Sequence, residues 1–111
     1  MRPSGTSEDL RGIAYGNGLF VAVGNGGAVL TSPDGADWTE EDSGTSNNLF
    51  GVAYGNGLFV VVGDEGTILI SPDWITRTLW ASGTGNKLFG VAYGNGRFVV
   101  VGARGIILTS P

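Results

Sequence analysis

The sequence predicts an all-β fold built from one small antiparallel sheet repeated three times, and three observations carry that reading. A 39-residue repeat runs through the 111 residues: LRGIAYGNG at 10–18 returns as LFGVAYGNG at 49–57 and again at 88–96. Each copy places an Asn-Gly pair (Asn17-Gly18, Asn56-Gly57, Asn95-Gly96) between two apolar runs. That is the strongest short hairpin signal, because a type I′ turn needs positive φ at both central residues. No stretch combines helix caps with a 3.6-residue apolar period. Over the 24 positions common to all copies, the first two agree at 16 and the last two at 19. Regularity of this kind is expected of recent duplication or of deliberate design.

Taken in order, residues 1–9 align onto 40–48 and read as a fourth-strand segment. Residues 10–48 and 49–87 are full repeats, and 88–111 is a partial third. Within the second repeat, strand one covers 49–54 and strand two 58–62, joined by Gly55-Asn56-Gly57. Gly63-Asp64-Glu65-Gly66 turns the chain into strand three at 67–71. Strand four follows a Ser-Pro-Asp-Gly turn and runs over 38–42 in the first repeat. Strand two (Leu58, Phe59, Val60, Val61, Val62) is apolar at every position, which predicts cover on both faces. Strand four (Trp38, Thr39, Glu40, Glu41, Asp42) is mostly polar, as an outer edge strand should be. Four-stranded sheets with buried centres, wet outer strands and a period near 40 residues describe the blades of a β-propeller. A β-solenoid is the alternative, although its coils are usually shorter.

The first nine residues supply a strand-four segment with no strands one to three before it. The third repeat supplies strands one to three with no strand four after it. This phase leads us to expect one chain to complete another's last blade and to close a ring. Two chains would give six blades and three would give nine. The six-bladed homodimer is the expectation, the nine-bladed homotrimer the alternative, and a monomeric or poorly folded fragment the remaining case.

Composition narrows the chemistry. There are no His and no Cys residues, so there is no thiol nucleophile, imidazole base, Cys/His zinc site or disulfide. A net charge of −4 argues against nucleic acid as a partner. At 41% hydrophobic and 14% charged, the chain is too apolar to be disordered. The longest apolar run, 58–62, is far short of the ~20 residues that span a membrane. Residues 1–5 hold no apolar signal region. The expectation is a soluble chain, cytoplasmic as expressed, with no membrane partner, cofactor or metal. Glu40, Glu41 and Asp42 with Asp37 match no calcium-loop spacing and read as a solvated edge. Gly24-Asn25-Gly26-Gly27 has no helix after it to hold a phosphate and reads as a hairpin.

The turn Ser32-Pro33-Asp34-Gly35-Ala36-Asp37-Trp38 resembles the Asp-box (BNR) repeat of sialidase-type and photosystem-assembly-factor-type propellers. It is one residue shorter than the usual Ser-x-Asp-x-Gly-x-x-Trp. Its local physics is an Asp that accepts turn N–H groups, a Gly at positive φ, and a Trp that packs between sheets. In the second repeat Ser71 and Asp73 persist, but Trp74 stands in place of the Gly and Arg77 in place of the Trp. That turn should therefore be rebuilt, with Trp74 swinging inward or a bulge shifting the strand that carries Trp80. The box is structural in those families, so the resemblance implies a fold and not an activity. Sialidase chemistry would need an arginine triad. The six cations (Arg2, Arg11, Arg77, Lys87, Arg97, Arg104) fall at mostly different repeat positions. Tyr15, Tyr54 and Tyr93 occupy one recurring position and read as packing residues. No catalytic residue is assigned.

Divergence between copies marks one candidate binding face. The turns between strands two and three carry Asn25, Asp64 with Glu65, and Arg104, and the linkers between repeats carry Asn47, Asn48, Asn86 and Lys87. These loops vary while the Gly-Asn-Gly turns do not, and loops on rigid scaffolds carry function. The expected function is a self-assembling structural module without catalysis. The alternative is a multivalent binding module, lectin-like or protein-binding, whose ligand the sequence does not identify.

Overall fold

A computed structural model describes residues 6, 8–72 and 78–110. The expectations placed on Asp73, Trp74 and Arg77, and most of the 1–9 segment, lie outside them, as do the side chains of residues 79–81. The chain is all-β. Its first sheet is β1 (Leu10–Gly16), β2 (Leu19–Gly24), β3 (Val29–Ser32) and β4 (Thr39–Glu41). The second is β5 (Leu49–Gly55), β6 (Leu58–Gly63), β7 (Thr67–Ser71) and β8 (Thr78–Ala81). The third, among the described residues, is β9 (Leu88–Gly94), β10 (Arg97–Gly102) and β11 (Ile107–Thr109). Every pairing is antiparallel and joins sequence neighbours, so each sheet is a simple meander.

The hairpins form as the Asn-Gly pairs require. Asn17, Asn56 and Asn95 have φ of 53°, 50° and 51°, and Gly18, Gly57 and Gly96 follow at 75°, 79° and 76°. Positive φ at both central positions matches the right-handed twist of the strands that the turn joins. The second connection in each sheet is a single 3-10 turn, at Asn25–Gly27, Asp64–Gly66 and Ala103–Gly105. Its middle residue is left-handed in all three copies: Gly26, Glu65 and Arg104.

The side-chain alternation of β6 divides its apolar run between two cores. Phe59 and Val61 join Val21, Val23, Val29, Leu49 and Leu69 between the first and second sheets. Val60 and Val62 join Ile68, Leu88, Phe98 and Val100 between the second and third. The strand is therefore buried on both faces, as its composition predicts. Where the first strands approach one another, glycine is required. A Cβ on Gly12 would lie 3.2 Å from the Phe50 carbonyl oxygen, and one on Gly51 would lie 3.1 Å from that of Phe89.

Strand four of the first repeat is shorter than 38–42. Thr31 pairs with Thr39 and the ladder ends there, because Ser32 and the residues after it bond within their own turn. Trp38 precedes the strand, is half-buried and is not among the residues of the two cores. At the other end Asp42 Oδ1 accepts the Gly44 N–H at 2.9 Å and turns the chain away. No helix among the described residues is long and apolar enough to cross a membrane.

Candidate functional site

The three 3-10 turns and the linkers between repeats meet at one end of the sheets, because antiparallel pairing puts the end of strand two beside the start of strand one. The backbone repeats the contact. Asn25 N–H donates to the Asp9 carbonyl at 2.9 Å, Asp64 N–H to that of Asn48 at 2.9 Å, and Ala103 N–H to that of Lys87 at 2.8 Å.

The side chains then differ. In the first repeat Asn48 Oδ1 accepts the Gly26 N–H at 2.9 Å, and Arg11 Nε donates to Asn25 Oδ1 at 2.8 Å. Asn47 Nδ2 donates to Thr67 Oγ1 at 3.0 Å, and Thr67 Oγ1 donates to the Asp64 carbonyl at 2.7 Å. Asp64 Oδ1 is shielded from solvent without a hydrogen bond, and Lys87 Nζ lies 3.8 Å from it. Asn86 N–H donates to Thr84 Oγ1, as Asn47 N–H does to Thr45 Oγ1.

The structure therefore brings Asn25, Asn47, Asn48, Asp64 and Lys87 together, and it engages them in holding the scaffold. The side-chain amides of Asn25, Asn47 and Asn48, committed in this way, have little capacity left for a ligand, whereas Asp64 Oδ1 has only the Lys87 ammonium beside it. Glu65 and Arg104 are different: both are exposed at the left-handed position and make no hydrogen bond or ion pair among the described residues. Two residues that the sequence reading did not assign to this face belong to this end as well. Arg11 is one, and Ser43, whose Oγ donates to the Gly27 carbonyl at 2.7 Å, is the other. Neither carries a sequence signal, because each acts on a partner at least 14 residues away.

The Asp-box turn is closed by its own side chains. Ser32 Oγ accepts Gly35 N–H at 2.8 Å, and Asp34 Oδ1 accepts the N–H groups of Ala36 at 2.8 Å and Asp37 at 3.0 Å. Gly35 supplies φ of 79°. The N–H groups of Asp37 and Ala36, then the Ser32 hydroxyl, hold the Asp34 carboxyl below its ordinary value of 3.8. Ser71 ends β7, fully buried, at the place equivalent to Ser32.

Among the described residues no three carboxylates gather into a metal-binding group. A cavity of about 170 Å³ opens between the second and third sheets, lined by Val60, Ile68, Phe98, Val100 and Leu108 with Ser82, and this lining supplies no acid or base. No protein-family model matches the chain, and no curated protein matches it either.

Proposed function

We propose that the chain is a structural module: a three-bladed segment of β-propeller that assembles head to tail with further copies into a closed ring and carries out no catalysis. One observation carries this reading, the mismatch in burial between equivalent residues of the outer and inner sheet faces. On the first sheet Ile13 is 61% and Tyr15 57% exposed, and Leu10 is exposed too. Their counterparts Leu49 and Leu88 are fully buried, and Val52, Tyr54, Val91 and Tyr93 pack against the two cores. On the third sheet Ile107 is 68% exposed and Val101 is exposed, whereas their counterparts Val23, Val29, Val62 and Ile68 are core residues. The exposed row along β1 and the exposed positions of the third sheet are thus the equivalents of residues that meet at the two junctions inside the chain. Apolar faces of this kind favour burial, and a head-to-tail contact closes when its rotation divides a full turn. Two copies make six blades and three make nine, within the usual range of propellers or just beyond it.

Native mass spectrometry tests the reading. A mass of two or three chains is expected, and a chain that stays monomeric at micromolar concentration would refute it. A second reading, a binding module, is favoured by the exposed side chains of Glu65 and Arg104 on the variable end, which bond to nothing among the described residues. A glycan array probed with the wild type and with a Glu65→Ala, Arg104→Ala variant separates the two.

A further inference from the structure

Inside the chain, each repeat seats a tyrosine on a glycine of the repeat before it. A Cβ built on Gly16 would fall within the Tyr54 ring, and one on Gly55 within the Tyr93 ring. Both glycines are buried as a result. The series has two open ends. Gly94, the third glycine, is exposed, and a Cβ there would meet nothing within 4 Å. Tyr15, the first tyrosine, is exposed and covers no glycine of a preceding repeat. It is nevertheless already in the seated posture. Its ring lies 4.6 Å from Phe20 at 51°, against 4.7 Å and 56° for Tyr54 with Phe59 and 4.8 Å and 58° for Tyr93 with Phe98.

We propose that the open ends meet between copies: Tyr15 of one chain docks on Gly94 of the next, with a second copy of this chain as the occupant. This rests on the self-assembly reading and specifies its contact. The neighbouring positions fit the same register. Gly12 and Gly51 each lie against the backbone of the following first strand, and the equivalent Gly90 meets only Val101 of its own sheet. Gly27 and Gly66 are covered by the carbonyls of Thr45 and Thr84, and the equivalent Gly105 is uncovered. Along the first strands Arg11 stands 5.7 Å over the Phe50 ring, and Phe50 stands 5.4 Å from Phe89. Phe89 is half exposed, so the docked copy's Arg11 would cover its open face in a cation–π contact. Ala22 and Leu30, on the same side of the first sheet as Tyr15, are already buried, so the docking surface runs along β1.

Seating needs a bare backbone at Gly94, and the isolated chain does not. Gly94 has ordinary extended geometry and open space around it, so Gly94→Val should leave the fold intact and block the seat. Tyr15→Ala removes the ring instead. Each variant alone is expected at the mass of one chain. A mixture of the two retains one good contact, the Tyr15 of the Gly94→Val chain on the Gly94 of the Tyr15→Ala chain. It should therefore show a two-chain species containing one of each, which neither variant gives alone. If the wild type assembles but either variant keeps the wild-type mass, or the mixture gives no mixed species, the seat is wrong and self-assembly stands. A monomeric wild type overturns both. Should a variant fail to fold, Tyr15→Cys with Gly94→Cys in this cysteine-free chain decides the question: oxidation should give inter-chain disulfide-linked species, and their absence overturns the contact.

Discussion

Ser32 and Asp34 are joined by a 3.0 Å hydrogen bond from the Ser32 hydroxyl to Asp34 Oδ1, and between them they accept four consecutive backbone N–H groups, from Asp34 to Asp37. Two short side chains thus supply the acceptors that a longer ladder would otherwise provide. Because those donors favour the ionised carboxylate, the folded state holds Asp34 below its ordinary 3.8 and the unfolded state binds the proton more readily. The stabilisation is therefore present above about pH 4 and is lost as the pH falls through 3.8 and then through the lower folded value. Thermal melts below that pH should show a steeper loss for the wild type than for Asp34→Asn. Equal slopes would refute the role of the charge.

Phe59 is fully buried between the first two sheets, with the Tyr54 ring 4.7 Å away. Phe59→Ala should cost about 3–5 kcal/mol, the range for removing an aromatic side chain from a core. Urea unfolding measures it. Phe20→Ala, at the equivalent but half-exposed place, should cost visibly less.

Gly55 lies beneath the Tyr93 ring with no room for a methyl group. Gly55→Ala should push the second and third sheets apart and destabilise the fold by about 1–3 kcal/mol. A denaturation midpoint equal to the wild type would mean that the ring moves aside freely.

Glu65 holds φ of 58°, where repeat one has Gly26 at 69°. A side chain in that region costs about 1–2 kcal/mol, and glycine gives back roughly half of it in chain entropy. Glu65→Gly should therefore stabilise the protein by about 0.5–1 kcal/mol. The same gain is expected for Arg104→Gly, whose φ is 63°. A lowered melting temperature for either variant would show that its side chain makes a contact worth more than the strain.

The local signals read well. Asn-Gly pairs impose their own φ values, so all three first hairpins fell where the sequence placed them, and the unbroken apolar run of 58–62 revealed a strand buried on both faces. What escaped was non-local. Nothing in the string Ala-Tyr-Gly indicates that its tyrosine covers the glycine 38 residues earlier, because both simply read as strand. The register shifts beside Arg11, Phe50 and Phe89 escaped for the same reason, since a bulge is set by the neighbouring strand. The turns after the second strands and the linkers between repeats meet at one end of the sheets. The sequence could not show that Asn25, Asn47 and Asn48 bond to the scaffold, because their partners are Arg11, Thr67 and Gly26.

The tyrosine-on-glycine contact also governs how the protein comes apart. The second sheet is clamped on both sides, by its own Tyr54 on Gly16 and by Tyr93 on its Gly55, whereas each outer sheet of an isolated chain is clamped once. Stability then resides in the couplings between neighbours as much as in the units themselves, as in linear repeat arrays. One excised repeat would have no coupling at all and should not fold alone. In the intact chain, opening should begin at either outer sheet and reach the middle last, so the amides of β6 should be the slowest to exchange with solvent.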